Sequence, residues 1–179
     1  VCSSDLRNSY EKEEAPRAGY DQKAGKLPVQ IAGWHPDGFV NIAMGQKGYK
    51  FGFQSSSDHI STHISFCVVM AEKHDRESLL SAMKKRHCYA ATDNIILDVR
   101  SGANVMGDEF TAAVPRLDIK VIGTSALAKV EVLRDSQVVA TFEPGQREYQ
   151  GTWTDPKPLE GTHYYYIRVQ QADKELAWG

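Results

Sequence analysis

The sequence predicts an α/β region that extends to about Asn94, followed by an antiparallel β-sandwich. A near-continuous apolar run at 65–72 and an amphipathic helix at 75–87 indicate the α/β part. After Asn94 the chain changes to short alternating runs separated by turn residues, a pattern typical of antiparallel sheets. The change predicts two domains, 7–94 and 95–179, with a boundary near Asn94.

The first elements follow from local signals. Residues 7–30 are charged and show neither a helical nor a two-residue apolar period, so we interpret them as an irregular loop. Apolar residues recur at helical spacing over 36–48, where Asp37 is a candidate cap and Gly48 suits the left-handed position after the helix. The alternation in "YKFGF", 49–53, predicts a strand.

Two stronger elements come next. The run "SFCVVMAE", 65–72, predicts a strand covered on both faces. The segment "DRESLLSAMKKRH", 75–87, predicts a helix with Asp75 as its N-cap and basic residues at the negative end of its dipole.

The β-region is predicted from five alternating runs, with a hairpin loop at "RDSQ", 134–137. The runs are "NIILDVRSG", "RLDIKVIGT", "AKVEVLRDSQVVATFE", "REYQGTWT" and "THYYYIRVQQ". The final "KELAWG" has the pattern of a closing strand with no turn after it, so we expect the natural chain to continue. At the other end, "VCSSDL", 1–6, back-translates to the end of a common sequencing adapter, and we interpret it as an assembly artefact.

Composition excludes several classes of function. The 179 residues are 41% hydrophobic and 25% charged with a net charge of −2, which predicts a folded protein without the basic field that nucleic acid requires. The apolar runs are too short to span a bilayer, so we expect a soluble protein, periplasmic or secreted if a missing N-terminus carries a signal peptide. The three cysteines show no CxxC spacing and indicate neither a disulfide framework nor a zinc site.

One loop concentrates metal-ligating side chains. In "GFQSSSDHISTHIS", 52–65, Asp58, His59 and His63 follow directly behind the predicted aromatic strand. Loops just past the carboxyl ends of strands carry functional side chains in α/β folds, and carboxylate and imidazole suit a hydrolytic zinc, manganese or iron centre. The alternative is a polar loop in which serine and aspartate only cap the next element.

Longer stretches of the chain resemble a known superfamily. The segments "KGYKFGFQSSSDHISTHIS" and "LLSAMKKRHCYAATDNIILDVRSGANVMGDEF" resemble the C-terminal part of a bacterial domain-of-unknown-function family in the PHP (polymerase and histidinol phosphatase) superfamily of metal-dependent hydrolases. The resemblance covers nearly all of residues 8–179. It implies the C-terminal part of a distorted (β/α) barrel followed by a β-sandwich.

The resemblance also implies site residues. Asp58 matches the aspartate of the superfamily's late Asp-x-His metal motif, but Ile60 stands where the histidine is expected, so His59 or His63 would supply the imidazole. Arg86, Tyr89 and Thr92 lie where the last helix returns to the barrel mouth, and Arg86 has the chemistry to bind a phosphate. The alternative is structural: Arg86 satisfies the helix dipole and Tyr89 packs in the core.

The expected function is that of a metal-dependent hydrolase using metal-activated water on a small-molecule substrate, with phosphate esters as the first candidates. The fragment alone is expected to be inactive, because the other ligands of such a site would lie upstream. The alternative is a non-catalytic glycan- or protein-binding module on a degenerate barrel.

Overall fold

The computed structural model describes residues 40–56 and 65–179 of the chain. The chain divides into two compact units, and the boundary along the sequence falls between Lys50 and Phe51. In the first unit, the described residues form a helical turn from Val40 that continues as a π-helix, Ile42–Gln46. Gly48 has φ +66°, which confirms the left-handed position predicted for it.

In the second unit, the described residues form ten strands in two antiparallel sheets. The first sheet has six strands in the order β1-β2-β10-β9-β6-β7, and the second has four in the order β4-β3-β5-β8. The strands are β1 Phe66–Val69, β2 Cys88–Ala91, β3 Ile96–Ser101, β4 Asn104–Val105, β5 Arg116–Ile122, β6 Leu127–Arg134, β7 Gln137–Phe142, β8 Glu148–Thr154, β9 Tyr165–Gln171 and β10 Leu176–Trp178.

The predicted fold class, a partial (β/α) barrel followed by a β-sandwich, is wrong. Within residues 40–56 and 65–179 the strands are all antiparallel, and no (β/α) barrel is evident. The run at 65–72, expected to be a strand covered on both faces, forms the edge strand β1 and pairs antiparallel with β2. "YKFGF", expected to be a strand, has no assigned strand at its described positions. The prediction failed because a short apolar run fits a parallel or an antiparallel strand equally well.

The β1 and β2 strands belong to the same sheet as the C-terminal strand. β10 lies between β2 and β9, with Ala177 opposite Ala91 and Trp178 opposite Ala90. β2, which precedes the boundary predicted at Asn94, therefore pairs directly with β10, Leu176–Trp178.

The core lies between the two sheets. Alternate residues of the paired strands point inwards, among them Ile119, Val130 and Ile167, which are at most 2% exposed. Trp153 and Tyr165 contact each other from opposite sheets, with 6.0 Å between ring centroids.

The β6–β7 connection confirms the predicted hairpin: Asp135 and Ser136 have φ of 51° and 64°, as a two-residue type I′ turn requires.

The helix α1, Arg76–Lys84, connects β1 to β2. Its predicted N-cap is confirmed, because the Asp75 carboxylate accepts a hydrogen bond from the Ser78 N–H at 2.8 Å. The helix ends three residues earlier than predicted, at Lys84. Among the described residues, no helix has both the length and the apolar character that crossing a membrane requires.

Candidate functional site

The three predicted metal ligands, Asp58, His59 and His63, lie outside the described residues. Within the part of the chain that the structure describes, no group of three or more His, Cys, Asp or Glu side chains is arranged to hold a metal ion. The described segments on either side of the three predicted ligands are 51–56 and 65–69.

The segment before Asp58 packs closely on the six-stranded sheet. The Phe53 ring lies 5.1 Å from that of Tyr166, on the face of the sheet turned away from the four-stranded sheet; we call this the outer face. Gly52 passes so close to β2 that a Cβ there would lie 2.5 Å from the Cys88 Sγ and 2.9 Å from the Arg86 carbonyl oxygen. Only glycine allows this approach, because those contacts are shorter than real Cβ atoms tolerate.

Ser55 anchors the same segment. Its hydroxyl lies 2.8 Å from the Phe66 carbonyl oxygen and 3.0 Å from that of Ala91, and it donates its single hydrogen to this pair of acceptors. Phe66 and Ala91 are directly opposite each other at the end of the β1–β2 ladder. Ser55 is 3% exposed, so this hydrogen bond is formed away from water. The residue three positions before Asp58 is thus held on the ends of two strands.

We expect Ser55→Ala to lower the free energy of unfolding by about 1–3 kcal/mol, because the buried Ala91 and the part-buried Phe66 carbonyl oxygens lose a hydrogen-bond donor. Ser81→Ala, the same change at an exposed position of α1, is the matched control and should stay within about 0.5 kcal/mol. Urea denaturation of both variants measures the difference. Equal stabilities would contradict the anchoring role of Ser55.

Arg86, predicted to bind substrate, follows α1 with φ 65°. Its Nη2 donates to the Gly107 carbonyl oxygen and to the Glu109 carboxylate, both at 2.9 Å. Gly107, at φ +95°, packs so closely that a Cβ would lie 2.4 Å from the Arg86 carbonyl oxygen.

The residues that follow Arg86 and Gly107 in the sequence also form a pair: His87 Nε2 lies 2.8 Å from Asp108 Oδ1. The Val105 N–H and then His87 lower the pKa of Asp108 by hydrogen-bonding its carboxylate.

The other two predicted substrate residues also have partners within the fold. Tyr89 is 4% exposed; its hydroxyl donates to the Ile95 carbonyl oxygen at 3.0 Å and accepts from the Leu97 N–H at 3.3 Å. Burial raises the pKa of Tyr89 above its ordinary value. Thr92 is buried, and its Oγ1 accepts from the Leu176 N–H at 2.8 Å, which ties β2 to β10.

The structure does not bring these three residues together. Arg86 precedes β2 and Thr92 follows it, so they lie at opposite ends of that strand. Tyr89, between them, packs in the core between the sheets. Of the three, Thr92 lies next to Ala91, whose carbonyl oxygen accepts from the Ser55 hydroxyl, and so lies at the end of β2 that contacts Ser55.

A second polar cluster surrounds the β6–β7 hairpin. Asp155, 2% exposed, accepts hydrogen bonds from Arg134 Nη1 and the Tyr165 hydroxyl, both at 2.7 Å. Burial would raise the pKa of Asp155, but hydrogen bonds from Tyr165, the Lys157 N–H and Arg134 lower it overall. Burial and then Asp155 raise the pKa of Tyr165 to about 12. Each polar group has a partner of complementary chemistry, so we assign this cluster to stability.

Two features of this region were missed from the sequence. Ser55 was one of three serines in a polar loop, and nothing local distinguished it from Ser56 or Ser57. Cys67 and Cys88 are 21 positions apart and share no motif. The register of β1 on β2 places the two side chains on the same face. Only long-range pairing brings these groups together.

Comparison with known proteins finds relatives without an assigned function. The chain is 32% identical over 161 residues to an uncharacterized protein of Chlamydia pneumoniae, an alignment covering 79% of this chain and 26% of that protein. It is 31% identical over 176 residues to one of Chlamydia trachomatis serovar D, covering 80% and 28%, and 29% identical over 176 residues to one of Chlamydia muridarum, with the same coverage. The chain thus spans about a quarter of the length of the curated relatives it matches.

No protein-family model matches the chain, and no solved structure matches it. The resemblance to the PHP superfamily therefore stays a prediction.

Proposed function

We propose that this chain is part of a metal-dependent hydrolase acting on phosphate esters, in which Asp58 is one metal ligand and His59 or His63 supplies an imidazole. The observation that carries the proposal is the buried hydroxyl of Ser55, which ties the residues just before Asp58 to the ends of β1 and β2.

An anchored loop is what a metal site needs. A ligand must be held within a fraction of an ångström of its position by neighbours that are themselves fixed, whereas a solvated connection needs no buried polar anchor. Ser55, together with Phe53 on Tyr166 and Gly52 against β2, fixes the chain up to the start of the Asp58 segment. These contacts support a functional rather than a merely connecting role for "SSSDHISTH".

The residue types suit the chemistry. A carboxylate and an imidazole are ordinary ligands of zinc, manganese and iron. When bound, such a metal ion lowers the pKa of a water molecule and polarises a phosphoryl oxygen. In this chain the carboxylate of Asp58 would contribute a hard, charged oxygen ligand, and a neutral histidine would contribute nitrogen.

The test uses the longest natural reading frame that contains this chain. The purified protein is analysed for bound transition metal and assayed with p-nitrophenyl phosphate, before and after chelation and metal replacement. Asp58→Asn should lower metal content and reduce hydrolysis by at least about 100-fold, since even outer partners of ligands are worth 10- to 100-fold. Asp98→Asn changes a half-buried aspartate paired with Arg100 on the four-stranded sheet; it is the matched control and should leave both metal content and hydrolysis unchanged.

Full metal content and activity in Asp58→Asn would exclude Asp58 as a ligand. A native protein that binds no transition metal and hydrolyses no phosphate ester would overturn the hydrolase proposal and favour a binding module instead.

A further inference from the structure

We propose that Cys67 and Cys88 are a site of oxidative modification, a dithiol in which the exposed Cys67 thiol reacts first with a peroxide and Cys88 then closes an intramolecular disulfide. The inference is independent of the proposed hydrolase activity.

The strand register brings the two cysteines together. Cys67 lies opposite Ala90, and Cys88 lies opposite Val69, so the two are diagonal neighbours on adjacent antiparallel strands. Both point to the outer face, because Tyr89 and Ala91 of β2 point into the core. Diagonal residues on one face of an antiparallel pair are within reach of each other's side chains. The two side chains are close enough that hydrogen bonding between the thiols shifts the pKa of both.

The two thiols differ in access. Cys67 is exposed on the edge strand β1, whereas Cys88 is half-buried beneath the backbone of Gly52. The hydrogen bond from Cys88 lowers the pKa of Cys67 to about 7, and the same bond together with burial raises the pKa of Cys88. An oxidant in solution therefore meets Cys67 first, and Cys67 carries the thiolate that reacts.

The chemistry balances with a peroxide as oxidant. The Cys67 thiolate attacks one peroxide oxygen, the O–O bond breaks, and hydroxide leaves to give a sulfenic acid. The Cys88 sulfur then attacks the Cys67 sulfur, the S–O bond breaks, and water leaves with the Cys88 proton. In sum, two thiols are oxidised to one disulfide while one hydrogen peroxide is reduced to two waters.

The position of β1 allows the Cys67–Cys88 disulfide to form and also makes it easy to reduce. A diagonal pair lies farther apart than a disulfide prefers, so the strand must shift to bring the sulfurs together. β1 has four residues and, among the described strands, pairs on one side only, with β2, which allows the shift. A disulfide formed this way is strained, and strained exposed disulfides are readily reduced.

The test uses the full chain with Cys2→Ser, which removes the third cysteine. Hydrogen peroxide should abolish both free thiols and lower the intact mass by two hydrogens, and peptide mapping should link the Cys67 and Cys88 peptides. Dithiothreitol should restore the thiols. With Cys88→Ser added, oxidation should stop at a sulfenic acid on Cys67 that dimedone traps; with Cys67→Ser added, Cys88 should react more slowly than Cys67 does.

Circular dichroism before treatment confirms that each variant is folded. Retention of both thiols, formation of intermolecular dimers alone, or equal reaction rates of Cys67 and Cys88 in the single-cysteine proteins would each overturn the proposal.

Discussion

Ile167→Ala should lower the free energy of unfolding by about 2–5 kcal/mol. This loss is a large part of the total free energy of unfolding of a domain of this size. Ile167 is fully buried in β9, the strand that lies between β10 and β6 in the six-stranded sheet. Its side chain belongs to the core between the two sheets, and its N–H donates to the Gly179 carbonyl oxygen at 2.7 Å. Truncation to alanine removes apolar contacts and leaves a cavity that a close-packed core fills only in part.

The chain supplies a matched control for this change. Ile96→Ala is the same substitution in a strand, but Ile96 is 53% exposed on β3, so the loss should be no more than about 1 kcal/mol. Urea denaturation with an unchanged m-value measures both. If Ile167→Ala prevents folding, Ile167→Val should still show a loss of about 0.5–1.5 kcal/mol. Similar losses at Ile96 and Ile167 would contradict the assignment of the core.

What could be predicted from the sequence was local. Asp75 as N-cap, the turn at Asp135 and Ser136, and the left-handed Gly48 depend on a few neighbouring residues, and all three are confirmed. Except for β4, the strands after residue 95 also overlap the predicted runs, because alternation records which face of a strand is buried.

What could not be predicted was pairing. An apolar run such as 66–69 indicates a buried strand but does not show whether the neighbouring strand is parallel or antiparallel. The residues of β1 and β2 were therefore assigned to a barrel, although they belong to the six-stranded antiparallel sheet. The anchoring of Ser55 on Phe66 and Ala91 spans up to 36 positions. No local pattern distinguishes such a serine from its neighbours, and the same holds for the thiols of Cys67 and Cys88.

Gln171 also makes polar contacts with residues far away in the sequence. Its side chain is fully buried at the end of β9. Its Oε1 accepts hydrogen bonds from the Thr124 N–H at 2.8 Å and the Ser125 N–H at 3.2 Å, and its Nε2 donates to Thr124 Oγ1 at 3.0 Å. Gly123 approaches so closely that a Cβ there would lie 2.5 Å from the same Oε1. One amide thus satisfies the backbone of the turn between β5 and β6, the strands that lie in different sheets.

Gln171→Leu should therefore lower the free energy of unfolding by about 2–4 kcal/mol, because it removes three part-buried hydrogen bonds, two from the Thr124 and Ser125 N–H groups and one to the Thr124 hydroxyl. The leucine has a similar size, so the loss reports the missing hydrogen bonds more than a cavity. Gln170→Leu, at the half-buried neighbouring position, is the control and should change stability by no more than about 0.5 kcal/mol. Amide hydrogen exchange adds a local measurement: Thr124 and Ser125 should lose protection in Gln171→Leu and keep it in Gln170→Leu. Unchanged protection at both amides would show that the turn between the sheets does not depend on Gln171.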